Sequence, residues 1–112
     1  MNEVTIEDFQ KFDIRIGTVV KAETPKWSHW VIKLVVDFGE KIGLKTIFAG
    51  VMGYYKAEEL QGKQFPFVVN IKAKKIGPEG DVSEGMLLAG DINDKPILLM
   101  PLDKVPNGTK VR

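Results

Sequence analysis

The 112-residue sequence contains no cysteine and a single histidine, His29. The absence of cysteine excludes disulfide bonds, thiolate catalysis and cysteine-ligated zinc, and it is compatible with the reducing cytoplasm, which is the expected location. No glycine-rich phosphate-binding motif follows a strand and opens a helix. A lone histidine beside two tryptophans is more often a packing or surface residue than a base or ligand. The sequence therefore predicts no catalytic residue, no metal site and no cofactor.

Long hydrophobic runs are also missing. The longest nearly apolar stretch, residues 47–55, contains two glycines and is far shorter than the roughly 20 residues that a membrane helix needs. Residues 1–10 carry three acidic side chains, whereas a signal peptide would carry positive charge followed by an apolar segment. We therefore expect a soluble protein without membrane insertion or an export signal.

The composition fits one small domain that is mostly β. With 44% hydrophobic residues in 112, the chain can bury one modest core, so a single domain over residues 1–112 is expected. Eleven glycines and six prolines are scattered between short runs rich in Val, Ile and Phe. This pattern favours many short strands over long helices.

Alternating apolar and polar residues predict five strands, with a short helix at 55–60 between the third and the fourth. The predicted strands are 12–22, 30–37, 44–49, 64–70 and 85–90. In the first strand, one face is expected to carry Ile14, Ile16, Thr18, Val20 and Ala22. Gly17 lies mid-strand, as expected where the long first strand of a small barrel must bend. This order of elements is that of an OB-fold, a partly open five-stranded barrel that binds oligonucleotides, oligosaccharides or peptides.

The segment beyond the barrel, residues 91–112, contains an apolar run at 96–101 that needs a partner surface. The barrel itself is expected to occupy about residues 12–90. Exposed strand edges are usually covered or paired, and two-fold homodimers are the commonest assemblies. We therefore predict that the C-terminal segment forms a homodimer interface. The alternative is that it folds back on its own barrel.

Charge is concentrated locally although the net charge is only +1. Residues 60–78 hold four lysines and no acid, whereas residues 79–94 hold five acids and no basic residue. The four lysines are Lys63, Lys72, Lys74 and Lys75. Three of them fall within four residues at a strand end, where they can contact successive phosphates and displace condensed counterions. A nucleic-acid partner is therefore predicted from this patch and not from the net charge.

Neighbouring residues could complete such a site. Asn70 and Ser83 offer hydrogen-bonding groups to a base edge or a 2′-hydroxyl, and Met86 offers a polarizable apolar surface to a base. The alternative interpretation is a solvated turn with a core methionine.

Five blocks of sequence, in order and with matching spacing, resemble the tRNA-binding domain family. The blocks are residues 8–19, 36–39, 55–63, 70–72 and 83–89. The family includes the C-terminal domain of bacterial methionyl-tRNA synthetase, its stand-alone dimeric relatives and the CsaA secretion chaperones. The resemblance covers nearly the whole chain, and the stretches 33–45 and 105–110 are most similar to CsaA.

The resemblance implies a non-catalytic OB-fold protein that binds tRNA by its shape and forms a homodimer through terminal extensions. The RNA-binding residues expected on this basis, together with the charge pattern, are Lys33, Lys63, Asn70, Lys72, Lys74, Lys75, Ser83, Glu84 and Met86. The alternative is a CsaA-like export chaperone that holds extended preprotein peptides, with Trp27 and Trp30 as the peptide-binding residues.

The chain departs from the family pattern in three places. Ala73 and Lys74 stand where the family usually has Pro and Arg, which keeps the charge but loses the bidentate guanidinium. The segment 77–82 looks longer than usual. The loop 25–30 carries two tryptophans that could stack on bases, hold an apolar peptide, cap the barrel or lie in a dimer interface.

Overall fold

The computed structural model describes all 112 residues, and most of its ordered elements are strands. The strands are β1 Ile14–Glu23, β2 Ile32–Asp37, β3 Leu44–Ala49, β4 Gln64–Val68, β5 Lys74–Ile76, β6 Asp81–Ser83, β7 Met86–Leu87, β8 Ala89–Ile92, β9 Lys95–Leu98 and β10 Thr109–Val111. The helical turns are α1 Ile6–Phe9, α2 Gly39–Ile42 and α3 Ala57–Leu60. No helix here has the length and apolar character needed to cross a membrane. The predicted mostly-β class is confirmed.

The main sheet has the order β3-β2-β1-β4-β7, with β10 added beside β1, and every neighbouring pair is antiparallel. The short helix α3 lies between β3 and β4, where the alternation pattern placed it. This is the strand order of a nearly closed OB-type barrel. The predicted OB-fold is therefore confirmed.

Strand β1 is the centre of the barrel because it pairs along both edges. One edge pairs with β4 from Ile14 to Thr18, and the other pairs first with β10 and then with β2. The β1–β2 register shifts between Val19 and Lys21, which is the mark of a β-bulge.

The bulge corrects the predicted facing of β1. Val19 is fully buried in the barrel core and Val20 is 45% exposed, as alternation from Gly17 requires, but after the bulge Ala22, which was expected on the face of Ile14 and Ile16, packs against the core that holds Val19. Ile14 and Ile16 are buried but lie outside the main core cluster. A strict alternation cannot anticipate this exchange, because one extra residue in a strand inverts every later side chain.

Gly17 is required by the packing of two core side chains. A Cβ at this position would lie 2.5 Å from Val36 Cγ1 and 2.7 Å from Phe38 Cε1. Phe38 in turn packs edge-on against Phe67, with ring centroids 5.4 Å apart. The glycine therefore lets Val36 and the Phe38 ring approach the backbone of β1, which adds a packing reason to the predicted strand bend.

The predicted fifth strand, 85–90, is divided in the structure. Only β7 pairs with β4, and from Ala89 onward the chain forms the hairpin β8–β9. The turn of this hairpin contains Asn93 and Asp94, both with positive φ, which Asn and Asp tolerate better than most residues. Residues 96–98 of the apolar run 96–101 therefore pair with β8 of the same chain.

The C-terminal end is fastened to its own barrel. Strand β10 pairs with Ile14–Ile16. Gln64, only 8% exposed, donates to the Val105 carbonyl at 2.7 Å and accepts from the Val105 N–H at 3.1 Å. Residues 105–111 thus pack on their own barrel, and the dimer interface over 91–112 stays a prediction. Pairing within the chain wins because β1 offers a free edge beside its first residues.

The side chain of Asp13 links β1 to β10. Its Oδ1 accepts from Arg15 Nε at 2.7 Å and from Lys110 Nζ at 2.9 Å. These contacts hold the pKa of the Asp13 carboxyl below its ordinary value: the hydrogen bond from Arg15 is the largest cause, burial opposes it as the next largest, and the hydrogen bond from Lys110 adds to the lowering. Arg15 also donates to the Gly108 carbonyl at 3.0 Å. The ionised carboxylate therefore holds β10 against β1.

Replacing Asp13 with Asn should lower the free energy of unfolding at pH 7 by about 1 kcal/mol, the size expected for charge-assisted hydrogen bonds at a partly exposed site. Since the folded-state pKa is lowered, the contribution is complete above the ordinary Asp pKa of about 3.9 and is lost as pH falls through the folded-state value. Urea unfolding at several pH values measures this. Asp103→Asn, at an exposed position without an ion pair, is the control. A deficit in Asp13→Asn that persists unchanged at pH 2 would contradict the assignment.

Candidate nucleic-acid interface

A two-stranded ribbon carries the predicted lysine cluster. Strands β5 and β6 pair with each other outside the main sheet, joined by a turn in which Gly77 and Gly80 have φ of +74° and +78°. We call residues 72–83 the lysine ribbon. Its three lysines are Lys72, Lys74 and Lys75, all exposed, and none belongs to any of the six ion pairs of the structure. The structure therefore brings these three cationic side chains together with no carboxylate in contact.

The register of the ribbon sets the direction of its lysines. Lys74 lies opposite Ser83, and Lys75 lies opposite Val82. Directly opposed residues project from the same face, and consecutive residues project from opposite faces. Ser83 is buried against the barrel whereas Val82 is 38% exposed, so Lys74 projects from the barrel face of the ribbon and Lys75 from its outer face. Positive charge is presented on both faces of one narrow element.

Ser83 and Glu84 attach the ribbon to β3. The Phe48 N–H donates to Ser83 Oγ at 3.0 Å, the Thr46 N–H donates to Glu84 Oε1 at 2.9 Å, and the Glu84 N–H donates to the Thr46 carbonyl at 2.8 Å. Both residues were predicted to contact RNA. In the structure Ser83 Oγ and Glu84 Oε1 accept hydrogen bonds from β3, which positions the ribbon, and contact of these two residues with RNA stays a prediction.

Trp27 is a second attachment of the ribbon. A Cβ on Gly77 would lie 2.6 Å from two atoms of the Trp27 ring, so the indole lies directly against the glycine. The same indole packs on Phe48 with ring centroids 5.9 Å apart. The tryptophan loop 25–30 and the longer segment 77–82, two places where this chain departs from the family pattern, therefore pack on each other. Of the four roles left open for the tryptophans, Trp27 caps this part of the barrel.

Lys33 also supports the ribbon. Its Nζ lies 3.5 Å from Asp81 Oδ1 and 4.0 Å from Glu23 Oε1, and 29% of its side chain is exposed. Two acidic partners compensate its charge. The structure thus joins Lys33 to the ribbon as a tether, with less positive potential available to a phosphate than at Lys74.

Asn70 lies two positions before the ribbon, whereas Lys63 lies away from it. Asn70 Oδ1 accepts from the Asp13 N–H at 2.8 Å, and its Nδ2 donates to the Lys11 carbonyl at 2.7 Å, so the side chain holds the N-terminal segment to the end of β4. Lys63 precedes β4 at its other end, beside Tyr55 and Met100. Lys63 and Asn70 flank β4, seven positions apart in the chain, roughly 20 Å for an extended backbone. Lys63 does not join the ribbon.

Met86 and Trp30 remain open to solvent. Trp30 is 69% exposed, and Met86 is 43% exposed, so Met86 is not the core methionine of the alternative interpretation. The single histidine, His29, is exposed, and no group of three or more metal-binding side chains occurs in the structure.

Sequence reasoning missed three residues of the interface: Thr46, Phe48 and Gly77. A signal was present for two of them, since alternation in β3 buries Ile47 and Ala49 and therefore turns Thr46 and Phe48 to the outer face. No local signal could pair Gly77 with Trp27, because fifty residues separate them.

The model of one protein family, the putative tRNA binding domain, matches residues 14–110. The chain is 46% identical over 110 residues to methionine–tRNA ligase of Archaeoglobus fulgidus and 43% identical over 109 residues to that of Methanothrix thermoacetophila. These matches cover 97% of the chain, which spans only 16% of the length of each relative.

Solved structures with the same fold match over the whole chain. A MetRS-related protein of Pyrococcus horikoshii superposes with a TM-score of 0.91 at 40% identity and covers 100% of both chains. The chaperone CsaA of Bacillus anthracis superposes with a TM-score of 0.87 at 37% identity, covering 99% of this chain and 100% of its own.

The contact between Trp27 and Gly77 can be tested in a Trp30→Phe background, where Trp27 is the only one of the two tryptophans that remains. Gly77→Ala should shift the Trp27 emission to longer wavelength and increase its quenching by acrylamide, because the new Cβ displaces the indole. Gly80→Ala is the matched control: its φ is also positive, yet nothing lies within 4 Å of its added Cβ. Both variants should lose about 1 kcal/mol of stability from the backbone conformation. Equal emission shifts in the two variants would refute the contact.

Proposed function

This chain belongs to the family of putative tRNA binding domains, and we propose that it binds tRNA through the lysine ribbon without catalysing a reaction. The observation that carries the proposal is the exposed position of Lys72, Lys74 and Lys75, with no acidic partner, on one ribbon beside the barrel. Counterion release from phosphates gives such a cluster its affinity for nucleic acid.

The arrangement of the charges supports recognition of a folded RNA. Lys74 and Lys75 project from opposite faces of the ribbon, so two phosphate tracks on either side of it can be contacted together. Contacts of this kind read the shape of the RNA backbone and not its base sequence. We place this activity in the cytoplasm.

The expected role of the other predicted residues changes within this proposal. Lys33, Ser83 and Glu84 act through the position of the ribbon, since their charges or polar atoms are already paired. Lys63 and Asn70 would contact RNA only where it extends to either end of β4.

We also propose that the protein is a homodimer, in which the terminal segments form the interface. Two exposed apolar patches support this. The N-terminal patch consists of Val4, Ile6, Phe9 and Phe12, and the C-terminal patch consists of Ile92, Leu99, Met100 and Leu102. Each of these side chains is at least 43% exposed, and clustered exposure of this kind is typical of interaction surfaces.

The placement of the two patches suits a two-fold assembly. Asn70 holds the N-terminal segment at the end of β4, whereas Met100 lies beside Leu60 near its beginning. In an isologous interface, one patch of each copy can meet the other patch of its partner. Residues 91–104 would then form the dimerisation extension, while 105–111 belong to the barrel.

A second candidate function is the holding of extended apolar peptides, as in an export chaperone. The likeness to the chaperone CsaA at 37% identity and the 69% exposure of Trp30 favour it. Because Trp27 is packed under the ribbon, Trp30 is the tryptophan that could meet such a peptide.

The RNA proposal predicts a strong dependence of affinity on salt. The logarithm of the association constant should fall linearly with the logarithm of salt concentration, by roughly 0.7 to 0.9 per phosphate contact. Lys74→Ala combined with Lys75→Ala should reduce this slope by about 1.5. Mobility shift with total tRNA, against a single-stranded oligonucleotide of equal length, measures affinity and shape preference together.

Lys41→Ala is the control for the double variant. Lys41 is also exposed, but it lies in α2, which connects β2 to β3 and is not part of the lysine ribbon. It should leave the slope unchanged. A slope near zero for the unaltered protein, or an equal effect of Lys41→Ala, would remove the basis of the proposal.

The dimer proposal predicts sedimentation of the protein at twice its chain mass of 12.5 kDa. Ile6→Glu and Leu102→Glu should each yield the monomer, since a charge would be buried in an apolar interface. Leu44→Glu places the same charge at a 63% exposed leucine in β3 and should sediment as the dimer. Monomers of the unaltered protein at every concentration would contradict the proposal.

A further inference from the structure

A small apolar recess opens on the surface beside the lysine ribbon. It has a volume of about 190 Å³ and lies between the end of β3 and β7, and six of its eight lining residues are hydrophobic. Phe48 and Gly50 form the β3 side, Met86 forms the β7 side, and Pro96 of β9 closes a third side. None of the contacts described above fills this recess.

An exposed indole lies beside Gly50, one of the residues that line the recess. Trp30 Cδ1 lies 3.5 Å from the position that a Cβ on Gly50 would occupy. Gly50 does not have the positive φ that would require glycine for backbone reasons. The absence of a side chain at position 50 therefore leaves open the space between the Trp30 indole and the recess. With Trp30 at 69% and Met86 at 43% exposure, two polarizable groups flank an accessible apolar opening.

The recess is joined directly to the lysine ribbon. The Phe48 N–H in its wall donates to Ser83 Oγ at 3.0 Å, and Ser83 is the cross-strand partner of Lys74. Neighbouring strands lie about 5 Å apart, so the backbone of Lys74 is about one strand spacing beyond that serine. Lys74 also projects from the face of the ribbon that Ser83 shares. Lys74 is therefore connected to the wall of the recess through Ser83 and Phe48.

We infer that this recess binds one unpaired nucleobase of the RNA, stacked against Trp30 and Met86, while Lys74 contacts the adjoining phosphate. This inference rests on the proposed RNA binding and adds a site to it. A nucleotide joins a flat apolar ring to a negative phosphate, which matches the pairing of slot and cation. An apolar peptide matches the slot alone. Stacking on an aromatic side chain tolerates any base, because every base has a π-face.

Two RNA probes separate the base from the phosphate. Both are the same hairpin with a short single-stranded 3′ tail, and in one of them the tail is abasic, so that the phosphates are equal in number. The unaltered protein should bind the normal tail about tenfold more tightly than the abasic one, the size expected for one stacked base.

Gly50→Leu should abolish this preference by filling the recess, and Trp30→Ala should abolish it by removing the stacking surface. Gly53→Leu is the matched control, since an added Cβ there also meets open space, with nothing within 4 Å, and position 53 does not line the recess. All three variants should bind the abasic probe like the unaltered protein and with the same salt dependence, because the lysines are untouched. Trp30→Ala changes a surface residue, so the test stands even if Gly50→Leu fails to fold.

Equal affinity of the unaltered protein for the two probes would overturn the inference while leaving RNA binding intact. A preference that survives in both Gly50→Leu and Trp30→Ala would overturn it as well. So would an apolar peptide that removes the preference but does not displace the abasic probe, since the recess would then be a peptide site. If the abasic probe itself shows no salt-dependent binding, the proposed function fails together with the inference.

Discussion

The whole architecture depends on the pairing of β1 along both of its edges. One edge holds β4, and the other holds β10 over its first residues and β2 over its last. The bulge between Val19 and Lys21 lets one strand serve both halves of the barrel by changing its direction and facing midway. Gly17 allows the rings beneath to close on that strand. Strand β3 pairs with β2, and β7 pairs with β4. Because β2 and β4 both pair with β1, the position of every surface discussed above depends on β1.

The lysine ribbon is an appendage that this barrel orients. It forms no strand ladder with the main sheet and is held by side-chain contacts and one backbone hydrogen bond: Ser83 and Glu84 with β3, Asp81 with Lys33, and Gly77 with Trp27. Each contact is modest, and their combination fixes the ribbon because they act at both of its ends. Preorganisation of this kind lowers the ordering cost that a flexible lysine segment would incur on binding a polyanion.

The lysines of this protein fall into two groups, those paired with acids and those without acidic partners. Lysines that structure the protein are neutralised by acids, as Lys33 is by Asp81 and Lys110 is by Asp13. The lysines of the ribbon have no such partners. A nearly neutral protein can therefore present a local positive potential, which is what the uneven distribution of charge in the sequence predicted.

The sequence by itself determined the fold class, the order of strands and helix, the family and the location of the free lysines, because these depend on local alternation, composition and motif spacing. Only the tertiary structure showed which of the predicted site residues already have hydrogen-bond partners within the chain. Asn70, Ser83 and Glu84 have the chemistry of RNA-binding residues, yet their polar atoms are engaged by partners 35 to 59 positions away in the chain. The packing of Trp27 on Gly77 and the recess between Phe48 and Met86 arise from the same long-range closure of the barrel. No local pattern encodes these contacts, since side-chain partners so distant in sequence are set by strand register and not by spacing.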